Sequence, residues 1–146
     1  MQKFSRDSFN ADEAINELMH ESGVIVIENA YNLNDIKEAR EIVNHFADTE
    51  EQKETHFNAE AEASKQIKLQ QRIWNLFGKG DIFSKLISDD IIFSLMSKLL
   101  GSEFFCGSYC GSRLLPGSLG QELHIDYPYW DFYNSETFPM GLNSSF

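Results

Sequence analysis

The stretch QELHIDYPY, at residues 121–129, decides the fold and the chemistry that we expect of this chain. It predicts a strand over 121–127, which Pro128 ends or places at a sheet edge. Side chains two apart on a strand share a face, so His124 and Asp126 project together. An imidazole and a carboxylate suit Fe(II) and comparable divalent metals. Because His-x-Asp pairs also occur often by chance, the spacing alone leaves a metal site and a plain strand both open.

A non-haem Fe(II) site needs a second histidine in addition to this pair, and no histidine follows Asp126. His20, His45 and His56 lie upstream, in sequence that predicts helices or loops. We interpret these three as surface or partly buried residues rather than as ligands. The sequence therefore predicts His124 and Asp126 as metal ligands and lacks the third ligand.

An aromatic cluster follows the pair, and Tyr127, Tyr129 and Trp130 are its candidate pocket residues. Aromatic side chains line many small-molecule sites. A Pro-Gly turn at 116–117 precedes the strand and favours its placement at the mouth of a barrel. Each of these aromatic residues is also a common core residue, so pocket wall and core packing both stay open.

The order of predicted elements is helices first and strands last, which is typical of α+β organisation. Periodicity and capping residues predict helices at 10–21, 32–54, 81–87 and 90–100 and strand-like segments at 24–27, 67–77, 104–115 and 121–127. The polar, acidic tract 48–65 predicts a helix tail followed by an exposed loop. We expect a single domain over 1–146, helical over 1–102 and strand-rich over 103–146.

The composition excludes several classes of partner. A net charge of −11 over 146 residues disfavours nucleic acid and anionic membrane surfaces, which both bind basic faces. No run is long and apolar enough to span a bilayer, and the N-terminus lacks the apolar stretch of a signal peptide. Cys106 and Cys110 predict two small buried thiols without a disulfide, which is compatible with a cytoplasmic location.

Four short motifs carry a resemblance to a known family: QRIWNL at 71–76, LLG at 99–101, SRLLPG at 112–117 and QELHIDYPY at 121–129. Together they resemble the phytanoyl-CoA dioxygenase family of Fe(II)/2-oxoglutarate-dependent oxygenases. The last two motifs are the specific part, and the remainder of the likeness is one of pattern.

The resemblance implies N-terminal helices packed on a partial double-stranded β-helix, a cupin-like jelly-roll sheet. It implies Fe(II) held by His124 and Asp126, with 2-oxoglutarate as cosubstrate. Arg113 and Gln121 match positions on pocket-forming strands, so the resemblance implies that they bind the cosubstrate. The family hydroxylates diverse small molecules, and Tyr127, Tyr129 and Trp130 would then be walls of the substrate pocket.

The family's third iron ligand and its 2-oxoglutarate-binding arginine come much farther along, and neither has a counterpart here. We therefore expect an N-terminal portion of an oxygenase, inactive as this incomplete chain, that forms a homodimer to cover an unpaired sheet edge. The alternative is a non-catalytic jelly-roll interaction domain without a functional metal site.

Overall fold

The fold mixes helices and strands, which confirms the α+β class. A computed structural model describes residues 1–52 and 69–118. The elements in these residues are β1 (Gln2–Ser5), α1 (Ala11–His20), β2 (Ile25–Glu28), α2 (Leu33–Thr49), β3 (Gln70–Ile73), α3 (Asp81–Ile87), α4 (Asp90–Leu100) and β4 (Gly111–Leu114). The chain divides into two compact units. Of the described residues, unit 1 holds 1–32 and 85–105, and unit 2 holds 33–52, 69–84 and 106–118.

Unit 1 is built on a two-stranded parallel sheet in which Phe4 of β1 is paired with Ile27 of β2. The apolar side of this sheet packs against α1 and α4, and the most buried residues are Phe4, Ala14 and Leu95. The strand predicted at 24–27 is confirmed as β2. Its residues Ile25 to Ile27 are half-buried, short of the burial on both faces that a continuous apolar run indicates. β1 was not expected, because Phe4 is its one buried side chain.

The helix predicted at 10–21 is confirmed as α1, and its first turn explains why it begins there. The Asn10 side-chain oxygen accepts hydrogen bonds from the backbone N–H groups of Asp12 at 3.0 Å and Glu13 at 3.3 Å. The Asn10 amide donates in turn to the Glu13 carboxylate at 3.1 Å. These bonds satisfy N–H groups that the first turn of a helix leaves without an intrahelical partner.

α4 has the bounds expected from sequence, and both of its ends are capped. The Asp89 carboxylate accepts from the N–H of Ile91 at 3.0 Å and forms an ion pair with Arg6 at 2.7 Å. The same Arg6 donates to the carbonyl of Ala30 at 2.6 Å. At the other end, Gly101 has a φ of +88° and donates its N–H to the carbonyl of Ser97, as glycine commonly does at a helix C-terminus.

Unit 2 places α2 against an antiparallel ladder of β3 and β4. In its register, Gln71 is opposite Arg113 and Ile73 is opposite Gly111. Ile73, Leu76 and Phe83 are almost fully buried in this unit. The predicted helix at 32–54 is confirmed but ends earlier, at Thr49.

The strand-like prediction for 104–115 is wrong over most of its length, since regular pairing covers Gly111–Leu114 alone in this described stretch. Phe105 is 86% exposed, so the aromatic residues of the segment do not form the buried alternation of a strand. The backbone is held in another way, because the Tyr109 carbonyl accepts from the N–H of Leu76. Cys106 is exposed and Cys110 half-buried, so the buried interpretation of Cys106 is wrong; both thiols are free, as expected.

From residue 53 onward, the helix tail and loop predicted over 48–65 lie outside the described residues, as does the strand predicted over 121–127. Within 1–52 and 69–118, every helix falls short of the length or hydrophobicity that crossing a bilayer requires.

The double role of Asp89 gives a test of unit 1. Asp89→Ala is expected to lower the free energy of unfolding by about 1–2 kcal/mol, because it removes a cap acceptor and the partner of Arg6. Asp89→Asn keeps an acceptor oxygen and is expected to lose a smaller part of that stability. Urea denaturation measures both, with the exposed neighbouring Asp90→Asn as control. Equal effects of Asp89→Ala and Asp90→Asn would contradict the assignment.

Candidate functional site

A tight turn closes β4 just before the His-x-Asp segment. The carbonyl of Leu115 accepts from the N–H of Ser118 at 3.0 Å. Pro116 and Gly117 are the two central residues, and Gly117 has a φ of +87°. Proline followed by a residue of positive φ is the pattern of a type II turn, in which glycine is strongly preferred at the second position. The predicted Pro-Gly turn is thus confirmed.

The turn is anchored to β3 as well as to β4. The N–H of Leu115 donates to the carbonyl of Leu69 at 2.9 Å, which continues the ladder one residue beyond β4. A Cβ on Gly117 would lie 3.8 Å from the Leu69 side chain, an ordinary van der Waals distance. Hydrogen bonds therefore hold the turn at Leu115 and Ser118, and Ser118 is six residues before His124 in the sequence.

Arg113 is a charged residue of the ladder that contacts both a neighbouring strand and a helix. Its Nε donates to the Oε1 of Gln71, directly across the ladder, at 2.6 Å. Its Nη2 pairs with the Oδ1 of Asp48 on α2 at 2.6 Å. Its Nη1 makes longer contacts to the carbonyl and side-chain oxygens of Asn44, at 3.4 Å and 3.5 Å. One guanidinium thus joins β4, β3 and α2.

The Asp48–Arg113 pair is uneven in burial. The Arg113 side chain is 22% exposed and that of Asp48 is 66% exposed, so water screens the pair from one side. Hydrogen bonding from Arg113 lowers the pKa of Asp48 below its ordinary value of 3.8. Partial burial opposes this shift, and the charges of Arg113 and His45 reinforce it. Asp48 therefore holds its negative charge to lower pH than a solvated aspartate does.

Gly111 lies on the same face of β4 as Arg113 and also meets α2. A Cβ at Gly111 would lie 3.0 Å and 3.2 Å from the two γ-methyl carbons of Val43. The strand therefore approaches the helix too closely for a larger residue there. Val43, Asn44 and Asp48 together form the α2 surface on which this face of β4 rests.

The QRIWNL motif at 71–76 ends β3 and turns the chain. Ile73 and Leu76 are buried, whereas Trp74 is partly exposed beside the Arg72 guanidinium, whose central carbon is 5.4 Å from the ring centre. Asn75 adopts a left-handed conformation with a φ of +56°, which asparagine tolerates better than most residues. The motif thus contributes two core residues and a bend.

Of the residues predicted to form the site, Arg113 is within the described part of the chain. His124, Asp126, Gln121, Tyr127, Tyr129 and Trp130 lie outside it, and their roles stay predictions. The interpretation of His20 and His45 as surface residues is confirmed, because both are exposed. Within 1–52 and 69–118, the side chains of His, Cys, Asp and Glu form no group of three that could hold a metal ion.

The partners of Arg113 were missed by sequence reasoning. Asn44 and Asp48 are four apart on α2, a spacing that puts them on one helix face. Gln71 is almost fully buried at 9% exposure, which is uncommon for a glutamine without a strong partner. The i, i+4 polar pair is a signal that the sequence carries, but it does not specify which cation it meets.

Comparison with known proteins adds no assignment: no family model, curated protein or solved structure matches this chain.

The lowered pKa of Asp48 gives a test of the pair. Arg113→Met is expected to return the pKa of Asp48 toward 3.8, because it removes the hydrogen bond and the charge that favour the carboxylate. At pH values above the ordinary pKa of an aspartate, the lowered pKa of Asp48 stabilises the folded protein. This stabilisation is lost as the pH falls through the lowered pKa. Carboxyl-carbon NMR titration of Asp48 in both proteins measures the change, and an unchanged pKa would refute the pairing.

Proposed function

We propose that this chain contributes two iron ligands to an Fe(II)/2-oxoglutarate-dependent dioxygenase that hydroxylates a small organic molecule. The observation that supports it most is the His124-Ile125-Asp126 sequence, placed just after a type II turn at the end of an antiparallel ladder. In the same proposal, β3 and β4 are the first strands of a jelly-roll sheet of the phytanoyl-CoA dioxygenase type. A second copy of the chain would cover the open edge of that sheet.

The donor set fits the metal. A neutral imidazole nitrogen from His124 and a carboxylate oxygen from Asp126 are two of the three ligands of the facial triad that binds non-haem Fe(II). Two protein ligands hold a divalent ion weakly. We therefore expect weak iron binding, and little or no turnover, from the 146-residue chain by itself.

The other predicted residues would bind the cosubstrate and exclude water. Arg113 and Gln121 offer a guanidinium and an amide, which are suited to carboxylate and carbonyl oxygens. Tyr127, Tyr129 and Trp130 would present apolar rings with a polar edge to the substrate. When iron and 2-oxoglutarate are bound, they supply the oxidation of a C–H bond by O2. The protein's part is to position the substrate and to keep the site dry.

The alternative is a non-catalytic jelly-roll interaction domain without a functional metal site. The contacts of Arg113 favour this alternative, because its guanidinium already binds Asp48 and Gln71 rather than a cosubstrate. In that case the ladder and its arginine have a structural role alone, and His124 and Asp126 are ordinary strand residues. A measurement of Fe(II) binding distinguishes the oxygenase proposal from the interaction-domain alternative.

Metal titration is the direct test. Under anaerobic conditions, Fe(II) and 2-oxoglutarate together are expected to give the weak visible charge-transfer band of such sites. His124→Ala and Asp126→Ala are each expected to weaken Fe(II) binding by at least about tenfold, since losing even a supporting residue commonly has that effect. Calorimetric titration measures the Kd.

The matched control is His20→Ala, which removes an exposed histidine far from the pair in sequence. Its Kd is expected to equal that of the unaltered chain. If His124→Ala behaves like His20→Ala, or if the unaltered chain binds no Fe(II), the oxygenase proposal fails. The interaction-domain alternative then takes its place.

A further inference from the structure

The edge of β3 that faces away from β4 is closed by a side chain. The Oε1 of Gln52 accepts a hydrogen bond from the backbone N–H of Arg72 at 2.9 Å. Bonded and non-bonded residue pairs alternate along an antiparallel ladder. Because the N–H of Leu115 donates across the ladder to Leu69, the bonded pairs are those of odd-numbered residues. Arg72 therefore points its backbone groups outward, where Gln52 meets them.

The opposite edge of the ladder, on β4, has no such cover within residues 1–52 and 69–118. By the same alternation, the backbone groups of Ser112 and Leu114 point away from β3. No strand of the described residues pairs with them. Leu114 is 67% exposed, and Gly111–Leu114 contains neither the lysine nor the proline that often protects an edge. This edge is therefore open to a further strand.

The face of the ladder that points away from α2 carries no acid. Arg113 extends to α2, so the alternating side chains of Gln70, Arg72, Ser112 and Leu114 lie on the other face. The chain has 23 acidic residues against 12 basic ones, and two copies of it repel each other on average. At this face, two copies can approach without bringing carboxylates together.

We propose that the edge of β4 binds the β4 of a second copy of the chain, antiparallel and about a two-fold axis at Ser112. In this register, Gly111 lies opposite Arg113 of the second copy, and Leu114 lies opposite Cys110. The second copy is the one that the proposed function invokes, and the inference adds the edge, the register and the residues. Each partner continues the other's sheet, so that two short ladders become one sheet of four strands.

The neighbouring registers are less favourable. An axis at Arg113 places two arginines directly opposite each other, and like charges in that position destabilise a sheet. An axis at Leu114 pairs Ser112 with Pro116, which has no N–H to donate. The axis at Ser112 instead sets each arginine beside Gly111, where no side chain competes for the space.

The same register gives the exposed leucine an apolar neighbour. Leu114 lies opposite Cys110, a half-buried free thiol, and cysteine packs as a small apolar residue. Tyr109 and Gly111, on either side of Cys110, both bond toward the β3 side, so alternation turns Cys110 toward the open edge. An axis at Gly111 would instead carry Leu114 onto Ser108, before the strand begins.

The first experiment measures self-association of the 146-residue chain by sedimentation velocity at micromolar to millimolar concentrations. The weight-average mass is expected to rise with concentration from that of one 16.8 kDa chain toward that of two. Leu114→Lys is expected to raise the Kd of the dimer at least about tenfold, because it puts a charge on the edge and removes the apolar contact.

The matched control is Phe105→Lys, which adds the same charge at an 86% exposed position outside β4. Its dimer Kd is expected to equal that of the unaltered chain. Both side chains are exposed, so both variants are expected to keep the Tm of the unaltered chain.

The second experiment tests the register with a disulfide, in a chain that carries Cys106→Ser and Leu114→Cys and keeps Cys110. Oxidised glutathione takes up the hydrogens of the two thiols and is expected to link position 114 to Cys110 of the second copy. Residues opposite each other in a bonded pair have Cα atoms about 5.5 Å apart, which suits a disulfide. Within one chain these positions are four apart on a strand, about 13 Å, which is too far.

The control for the disulfide is Cys106→Ser alone, which keeps Cys110 but is expected to form no covalent dimer. Non-reducing electrophoresis measures both chains.

Each contrary outcome overturns the pairing. A chain that stays monomeric at every concentration leaves the edge to an extended segment of a different protein. Equal Kd values for Leu114→Lys and Phe105→Lys place the self-association elsewhere, and a dimer without the disulfide refutes the register. Fe(II) binding has no part in these measurements, so the oxygenase proposal and the pairing can fail separately.

Discussion

The guanidinium of Arg113 is the constraint on which unit 2 depends. A buried or half-buried arginine must find acceptors for its donors, because a charge removed from water without partners is strongly destabilising. The acceptors come from two other elements, Gln71 on β3 and Asn44 and Asp48 on α2, so the requirement ties both of them to β4. An arginine on a solvated strand would contribute little to stability. Arg113 instead restricts how β4 can move against both β3 and α2. The close contact of Gly111 with Val43 completes the restriction by setting the distance between strand and helix.

Unit 1 is stabilised mainly by apolar burial, and capping residues determine where its helices begin and end. Phe4, Ala14 and Leu95 come from a strand and two helices and exclude water from one another. The helices begin where Asn10 and Asp89 satisfy the first N–H groups, and α4 ends where Gly101 takes up a positive φ. Apolar contact alone is non-directional, so the hydrogen-bonded ends decide which residues belong to each helix.

Sequence reasoning found those elements whose ends are chemically marked. The C-terminal bound of α4 could be predicted because Gly101 directly follows an apolar run, where glycine is a common helix C-cap. β1 could not, since a four-residue strand with one buried side chain carries no periodic signal. The segment before β4 misled the prediction: its aromatic content favours strands, but Tyr109 bonds instead to Leu76 and to the carbonyl of Phe83. Such long-range pairing overrides local propensity.

In the candidate site, too, some features could be predicted from the sequence and others could not. Arg113 could be singled out because it lies in a recognisable Ser-Arg-Leu-Leu-Pro-Gly sequence, and the turn could be predicted because Pro-Gly has a defined backbone preference. Its partners could not, because Asp48 and Gln71 are separated from it by 65 and 42 residues. A single sequence encodes the polarity of such residues but not the identity of the residues they meet.

The exposure of Phe105 has a consequence for how the chain can be dissected. Phe105 is the last residue of its stretch of unit 1, and unit 2 resumes at the next residue. Its ring is almost fully solvated, whereas Tyr109, four residues on, is tied to Leu76 and Phe83. A protease that cleaves after aromatic residues would therefore meet an accessible peptide bond at the junction and a protected one beyond it. The chain also passes between the units at residues 32–33 and 84–85, so this cleavage leaves them covalently joined. Limited digestion therefore tests whether each unit keeps its structure after a single break at residue 105.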